Sequence, residues 1–233
     1  GLDNINSHVL KIVIDELTPA ITHIINLSIV QHKFPSCWKI SKVIPLHKKE
    51  EMFLAKNFRP VSMLSVISKI LEKAIFLQLF QYLEDNSLIH PSHHAYRPSH
   101  NTTTALIEMM DCWIEAFEND KITAVVMCDQ SAAFDVCDHQ ILKSKLEIYG
   151  LQEGALAWFS SYLEKRKQTV YIDGAFSDIK ELETAGVPQG GTLSPLLYNL
   201  FCCDLPEAIH ANHKESDNEM QHVINAEYKI ESK

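Results

Sequence analysis

Residues 124–139 read AVVMCDQSAAFDVCDH, an apolar run that ends in an aspartate and is followed by two more within ten residues. The run from Lys121 to Cys128 is rich in β-branched residues and apolar on both faces, which predicts a buried central strand. Either one of the three carboxylates is a metal ligand, or all three are turn and cap residues. Asp129, directly after the run, stands where α/β folds place ligand sites.

The three aspartates differ in what their positions favour. With a second acidic group on a neighbouring strand, Asp129 could hold Mg²⁺ ions about 4 Å apart for phosphoryl or nucleotidyl transfer. The alternative, an aspartate that caps a turn, stays open. Asp138 stands where the N-cap of a helix starting near His139 is expected. Spacing alone does not assign Asp135.

Charge is distributed unevenly along the 233 residues, of which 46% are hydrophobic and 22% charged, as in a globular protein. The net charge of −9 argues against non-specific nucleic-acid binding by the whole molecule. Between Lys33 and Lys73, however, nine Lys and Arg residues face three Glu, a local net charge of +6. This basic stretch is compatible with phosphate binding, and equally with a solvated surface.

The cellular compartment is predicted from sequence features that the chain lacks. No segment approaches the roughly 20 uninterrupted apolar residues of a membrane span, and no signal-type segment opens the chain. The six cysteines show no Cys-x-x-Cys spacing. These features predict a reduced intracellular protein, cytoplasmic or nuclear, with no membrane partner.

Hydrophobic periodicity and turn residues predict the secondary structure. Helices dominate the first half, and a strand–helix–strand arrangement follows. The fold class is therefore α+β, with a basic, helical front part packed on a small sheet. A helical pattern at 9–31 is interrupted at Pro19, which separates or kinks two helices. Further helices are predicted at 65–83, 101–117, 141–150, 154–166, 196–203 and near 218–230, and strands at 43–46, 121–128, 168–174 and 177–185.

A glycine-rich loop, Gly186-Val-Pro-Gln-Gly-Gly191, precedes the apolar run at 196–203. Paired glycines let the backbone approach a ligand closely, and Gln189 on such a loop can hydrogen-bond a base or sugar edge. Ser194-Pro195 suits an N-cap followed by the first helical position. Taken alone, the loop is also explained as an ordinary turn.

Four cations are candidates for holding a triphosphate, because lysine offers a point charge and arginine a planar fork. Each of them is, by itself, also explained as a surface residue. They are Lys48, Lys49, Arg59 and Arg97.

The order of the motifs is more specific than any one of them. In this order, across residues 1 to about 206, they closely resemble the reverse transcriptase domain of non-LTR (LINE-type, jockey-like) retrotransposons. The motifs are FPSCWK (34–39), VIPLHKK (43–49), NFRPVS (57–62), ISKILE (67–72), AYR (95–97), DQSAAFD (129–135), GVPQG (186–190) and LSPLL (193–197).

The resemblance implies a fold and an activity. The fold is the fingers and partial palm of a right-hand polymerase, helix-rich, with the thumb absent. Residues 1–120 would be the fingers-like region, 121–206 the partial palm with the first metal-binding aspartate and the Pro-Gln-Gly loop, and 207–233 a divergent, poorly ordered tail. The activity is RNA-templated DNA synthesis, in which a primer 3′-OH attacks the α-phosphate of a dNTP. The partners are an RNA template, a DNA primer and the dNTP.

The resemblance also implies roles for single residues. Asp129 is similar to the catalytic aspartate that ligates Mg²⁺, with the Gln130 backbone carbonyl nearby. Phe134 is similar to the aromatic residue beneath the incoming sugar, where a ring rejects a ribose 2′-OH. Gln189 and Gly190 resemble the loop that packs on the incoming nucleotide and template. The residues that resemble nucleotide-gripping positions of the fingers are Lys48, Lys49, Arg59 and Arg97.

One family motif is missing. A Phe/Tyr-Ala-Asp-Asp hairpin is expected shortly after Asp204-Leu-Pro206, but residues 208–219 read AIHANHKESDNE, with Asp217 and Glu219 as the nearest approach. A two-metal site with one carboxylate cannot hold its second ion properly. We therefore expect a truncated or decayed reverse transcriptase segment that is inactive in this form. The alternative is a non-catalytic remnant that binds nucleic acid or protein, or has no function.

Overall fold

The structure, a computed structural model, describes residues 1–48, 51–127, 129–130, 132–182 and 185–205. Lys49 and the helix predicted near 218–230 lie outside the described residues. Within them the helices are α1 (Ser7–Ile12), α2 (Ile14–Val30), α3 (Val66–Asp85), α4 (Thr102–Glu118), α5 (His139–Ile148), α6 (Glu153–Leu163) and α7 (Ser194–Cys202). The strands are β1 (Ile40–His47), β2 (Phe58–Met63), β3 (Lys167–Ile172), β4 (Ala175–Phe176) and β5 (Lys180–Glu181). The α+β class is confirmed.

The sheet joins the two halves of the chain. β1 pairs antiparallel with β2, with Leu46 opposite Arg59, and parallel with β3, with Lys42 opposite Thr169. β4 and β5 both pair antiparallel with β3. The strand predicted at 43–46 is confirmed as part of β1, but β2 was not predicted, so the front part contributes two strands to the sheet as well as helices. β2 carries a proline at position 60, which conceals it in the sequence pattern.

Helix α7 forms the centre of the core. Its Leu196, Leu197 and Leu200 are almost fully buried, as the apolar pattern around this helix predicts. They belong to one cluster with leucines of α3 and α5 and with the aromatic residues of α6. Burying each leucine side chain contributes about 1.5–3 kcal/mol to folding.

The first two helices divide at a different residue from the one predicted. The chain leaves helical geometry at Val13, with φ −109° and ψ 21°, and Pro19 lies inside α2. Proline removes one backbone N–H, but this part of α2 is exposed, so water can satisfy the carbonyl that loses its donor. The Thr18 hydroxyl meanwhile donates to the Ile14 carbonyl at 2.7 Å.

The strand predicted at 121–128 is wrong for the residues described, 121–127. None of them lies in a named strand, and Val125 makes a single bridge. Ile122 and Met127 are 89% and 64% exposed. A strand exists only through pairing, and the order of the described sheet, β2-β1-β3-β4 with β5 on β3, does not include this segment.

The bounds of the other predicted helices are confirmed within one to three residues, but the predicted N-cap at Ser194 is wrong, because Ser194 is the first residue of α7 and its hydroxyl donates to the Pro188 carbonyl. α4 begins at a capping box, in which Asn101 accepts hydrogen bonds from the backbone N–H groups of Thr103 and Thr104. The turn between β3 and β4 places Asp173 and Gly174 at φ 48° and 87°, the left-handed region typical of tight hairpins. No helix in the described ranges is long and apolar enough to cross a membrane.

Candidate functional site

The segment 132–138 and the glycine-rich loop are joined through their backbones. The Gly186 N–H donates to the Cys137 carbonyl and the Val187 N–H to the Phe134 carbonyl, each at 2.8 Å. Gly186 has φ +93°, and a Cβ there would lie 3.3 Å from the Asp135 carbonyl oxygen. Two motifs some fifty residues apart therefore form one unit, and a glycine permits their close approach.

The same loop contacts β2. The Ser62 N–H donates to the Gln189 carbonyl at 2.8 Å. Gly190 has φ +114°, and a Cβ there would stand only 2.8 Å from the Ser62 carbonyl oxygen. The NFRPVS motif thus lies directly against the Gln189–Gly190 pair.

Helix α3 supplies a buried carboxylate at the far end of the loop. Glu72 Oε2 accepts hydrogen bonds from the N–H groups of Thr192 (2.7 Å) and Leu193 (3.3 Å), and Oε1 accepts one from the Ser68 hydroxyl (3.2 Å). Burial raises the pKa of Glu72, and these hydrogen bonds together with the nearby Arg166 charge oppose that effect.

Phe134 lies in a group of aromatic rings beside this loop. Its half-buried ring is 5.4 Å from the Tyr198 ring and 6.5 Å from the Tyr96 ring. The Tyr198 hydroxyl donates to Gln130 Oε1 at 2.5 Å. The contact seen at Gln130 therefore involves its side chain. Burial raises the pKa of Tyr198, so this hydroxyl keeps its proton at neutral pH.

Lys48 and Arg59 lie on one hairpin. The Lys48 N–H donates to the Asn57 carbonyl at 2.8 Å, just beyond the end of β1, and its side chain is exposed. Arg59 is half-buried on β2, opposite Leu46. The two cations thus lie at the turn end of the β1–β2 hairpin, whereas Ser62, which contacts Gln189, lies toward the opposite end of β2.

Arg97 is engaged elsewhere. Its guanidinium donates to both carboxylate oxygens of Glu84, near the C-terminus of α3, at 2.9 and 3.3 Å. The neighbouring Ala95 carbonyl accepts a hydrogen bond from the Asn199 side chain at 2.6 Å. From the AYR motif it is Tyr96, not Arg97, that lies beside Phe134.

Asp129 does not belong to a complete metal site among the residues that the structure describes. Its carboxylate is exposed, and among the residues that the structure describes no three His, Cys, Asp or Glu side chains lie close enough together to bind an ion. A two-metal centre needs carboxylates from more than one segment. The described donors therefore do not fit such a centre, and no reaction step through a metal follows from them.

Asp138 is the helix cap that its position predicts. Its carboxylate accepts the N–H groups of Gln140 (2.8 Å) and Ile141 (3.0 Å), and these bonds lower its pKa. The adjacent His139 is buried, and its Nε2 donates to the Gly186 carbonyl at 2.7 Å.

Sequence reasoning missed several residues that shape this site. Three of them lie within motifs that the sequence displays, but nothing local marks their roles, because their partners are distant in sequence. The missed residues are Ser62, Glu72, Tyr96, His139 and Tyr198.

Comparison with known proteins agrees with these motifs. The family model described as "Reverse transcriptase (RNA-dependent DNA polymerase)" matches residues 46–225. The chain is 30% identical over 215 residues to the probable RNA-directed DNA polymerase from transposon BS of Drosophila melanogaster, covering 88% of this chain and 23% of that protein.

Two further Drosophila melanogaster proteins are similar at the same level. The RNA-directed DNA polymerase from mobile element jockey is 30% identical over 220 residues, covering 94% of this chain and 24% of that protein. The probable RNA-directed DNA polymerase from transposon X-element is 30% identical over 209 residues, covering 89% and 23%. The chain thus spans about a quarter of the length of these relatives. Members of the matched family act on nucleic acids and generally use divalent metal ions, and this chain belongs to the reverse transcriptase family.

Proposed function

We propose that this chain supplies the nucleotide-gripping part of an RNA-directed DNA polymerase from a non-LTR retrotransposon. In this proposal residues 1–120 act as fingers and 121–206 as part of the palm, with 207–233 a divergent tail. The reaction served is attack of a DNA primer 3′-OH on the α-phosphate of a dNTP that is paired with an RNA template.

The observation that carries the proposal is the meeting of three distant motifs, because the glycine-rich loop contacts the other two. The Gln189–Gly190 pair meets β2 at Ser62, and the loop is bonded through Val187 to Phe134. A general α+β fold does not require these particular segments to meet. A polymerase needs them together, because fingers, sugar-sensing ring and template loop contact the same nucleotide.

The roles follow from chemistry and position. Lys48, Lys49 and Arg59 would bind the triphosphate, since ammonium and guanidinium groups pair well with phosphate oxygens. Asp129 would be the protein's first Mg²⁺ ligand. Arg97 would act in the fingers, through the loop it shares with Tyr96, after release from Glu84.

The rest of the proposed site lies beneath and behind the nucleotide. Phe134 would lie under the sugar, with Gln130 oriented by the Tyr198 hydroxyl. Gln189 and Gly190 would pack on the base pair.

We also propose that these 233 residues alone do not extend a primer. They contain no adjacent pair of aspartates, so the second metal ligand set of a two-metal reaction is missing from them.

Nucleotide binding tests the proposal directly. Wild-type protein should bind dTTP in a Mg²⁺-dependent manner, measured by calorimetry, and Asp129→Asn should weaken that binding by about tenfold or more. Asp138→Asn is the matched control, because it makes the same chemical change nearby while asparagine still caps α5. Equal affinity in wild-type and Asp129→Asn proteins would contradict the role of Asp129.

Primer extension on an RNA template with Mg²⁺ or Mn²⁺ tests the second part. Wild-type and Asp129→Ala proteins should give the same background. Extension by the wild-type chain above that background would overturn the inactivity and support a complete polymerase site.

A second function is favoured by the basic stretch at 33–73, with its local charge of +6. This stretch would let the chain act as a non-catalytic RNA-binding module. Binding should then weaken steeply with salt and fall when Lys48 and Arg59 are replaced, with no dependence on Asp129. Salt-insensitive binding would exclude this function.

A further inference from the structure

We infer that Glu72 is a positioning residue, which holds the loop carrying Gln189 and Gly190 in place from inside the core. The functional meaning of this inference rests on the proposed nucleotide site. The positioning itself depends only on the contacts between α3 and the segment that leads into α7.

Glu72 binds the backbone directly before α7, a helix that begins at Ser194 and has no side-chain cap of its own. The residue at the N-cap position of α7 is Leu193, which has no side-chain acceptor. Backbone N–H groups at a helix start need an acceptor from elsewhere, and the helix dipole favours a negative charge there. The Glu72 carboxylate, fully buried, accepts two consecutive N–H groups at this point, those of Thr192 and Leu193.

The loop is therefore held at both ends. Ser62 on β2 binds the carbonyl of Gln189, and Glu72 binds the N–H groups only three and four residues later. Gly191, which lies between these two anchors, allows the Glu72 carboxylate to approach the backbone closely. A Cβ on Gly191 would lie 3.0 Å from Glu72 Oε2 and 2.7 Å from the Ser194 hydroxyl oxygen. Two anchors so close together leave the Gly190–Gly191 backbone little freedom.

The surroundings of Glu72 partly offset the cost of burying its charge. Arg166 is buried and close enough to favour the ionised carboxylate. Its Nη1 donates to the Tyr162 carbonyl at 3.0 Å, and its guanidinium lies 4.9 Å from the Tyr162 ring centroid. An apolar side chain at position 72 would fill the volume, but it would leave two buried N–H groups without an acceptor.

Hydrogen–deuterium exchange of residues 186–197 tests the inference without requiring activity. Glu72→Met keeps the volume and removes the acceptor, so the Thr192 and Leu193 amides should exchange at least about tenfold faster. Glu72→Gln keeps an acceptor and removes the charge, so exchange should stay near that of wild type. Gln78→Ala, at an exposed position of the same helix, is the control and should change nothing in this segment.

Three results would overturn the inference: unchanged exchange in Glu72→Met, acceleration spread evenly over α3, α6 and α7, or equal acceleration in Glu72→Gln. If Glu72→Met fails to fold, Gly191→Ala takes its place, because its new methyl group would press on the Ser194 hydroxyl and on the Glu72 carboxylate. Gly191→Ala should accelerate exchange in the same segment. An exchange rate equal to that of wild type would also overturn the inference.

Binding of Mg²⁺–dTTP links the anchor to function. Affinity should fall in Glu72→Met and return in Glu72→Gln, a rescue that a general loss of stability would not produce. If wild-type protein binds no nucleotide, the proposed function fails, while the exchange results still decide whether Glu72 positions the loop.

Discussion

The glycine-rich loop at 186–193 and the apolar segment at 121–127 have opposite surroundings. The loop is hydrogen-bonded to β2, α3, α5 and the backbone of 134–137. The segment carries more hydrophobic residues, yet Ile122, Val126 and Met127 are mostly exposed. Hydrophobicity alone therefore does not decide which of the two segments is held in place. The number of neighbouring elements that form hydrogen bonds with it does.

This difference separates the two halves of the proposed site. The position of Gln189 and Gly190 follows from residues in the described part of the chain. The position of Asp129, just after a segment that belongs to none of the named strands, does not. A strand beside 121–127 would be needed to hold its carboxylate as firmly as the loop is held.

The largest expected contrast comes from removing apolar side chains in each region. Leu197→Ala should cost about 2–5 kcal/mol, because it opens a cavity in the fully buried core. Ile122→Ala, at a residue 89% exposed, should change the free energy of unfolding by less than about 0.5 kcal/mol. Urea denaturation measures both. A cost above about 2 kcal/mol for Ile122→Ala would mean that the segment is buried in solution.

The next contrast isolates the close approach of the loop to β2. Gly190→Ala should cost about 2–4 kcal/mol, since the new methyl group combines a left-handed backbone with a clash against Ser62. Gly174→Ala is the matched control: φ is also positive, +87°, but nothing lies within 4 Å of its Cβ. It should cost only about 1 kcal/mol. Equal losses in thermal denaturation would show that the Gly190 contact is loose.

A smaller effect concerns the charge of Glu72. Burial is the largest influence on its pKa and raises it above the ordinary value of 4.5. Protonation is then favoured by folding, so the stability that Glu72 contributes is full below about pH 4.5 and is lost as pH rises through the folded-state pKa. Wild type should therefore lose stability relative to Glu72→Gln over that range.

Urea unfolding from pH 4 to 8 measures this difference, with both variants compared at each pH. The groups that face the carboxylate are Arg166, Tyr162, Ser68 and the N–H groups of Thr192 and Leu193. An increase in the stability of wild type relative to Glu72→Gln with rising pH would contradict this prediction. It would show that Arg166 and the N–H donors outweigh burial.

The smallest effect tests whether α4 unfolds independently of the glycine-rich loop. Asn101→Ala removes the capping box and should weaken α4 by about 1 kcal/mol. Only Met109 of this helix is buried, so amide exchange should rise in α4 and stay unchanged in 186–197. A rise in both would show that α4 and the loop unfold together.

Much of the fold was predictable because it rests on local patterns. The positions of most helices follow from their periodicity, the Asp138 cap from a single residue before a helix, and the burial of α7 from its uniformly apolar sequence. The predicted break at Pro19 was wrong, because an exposed helix tolerates the loss of one hydrogen bond.

The rest depends on partners that are distant in sequence. The strand at 121–128 has the right composition, but a strand also needs a neighbour. From the sequence, Glu72 is expected to be a solvent-facing charge, because its hydrogen bonds to Thr192 and Leu193 are not visible there. Arg97 has the chemistry of a phosphate ligand, and its pairing with Glu84 could not be inferred from spacing.

The parallel pairing of β1 with β3 has a consequence for the order of folding. Ser41 and Lys167, which meet across this pair, are 126 residues apart. During synthesis β1 can form its hairpin with β2 early, but its other edge has no partner until β3 has been made. A fragment that ends before β3 would carry this open edge permanently, and open edges recruit strands from other molecules. The first 120 residues should therefore aggregate when they are produced alone, although they contain most of the helices.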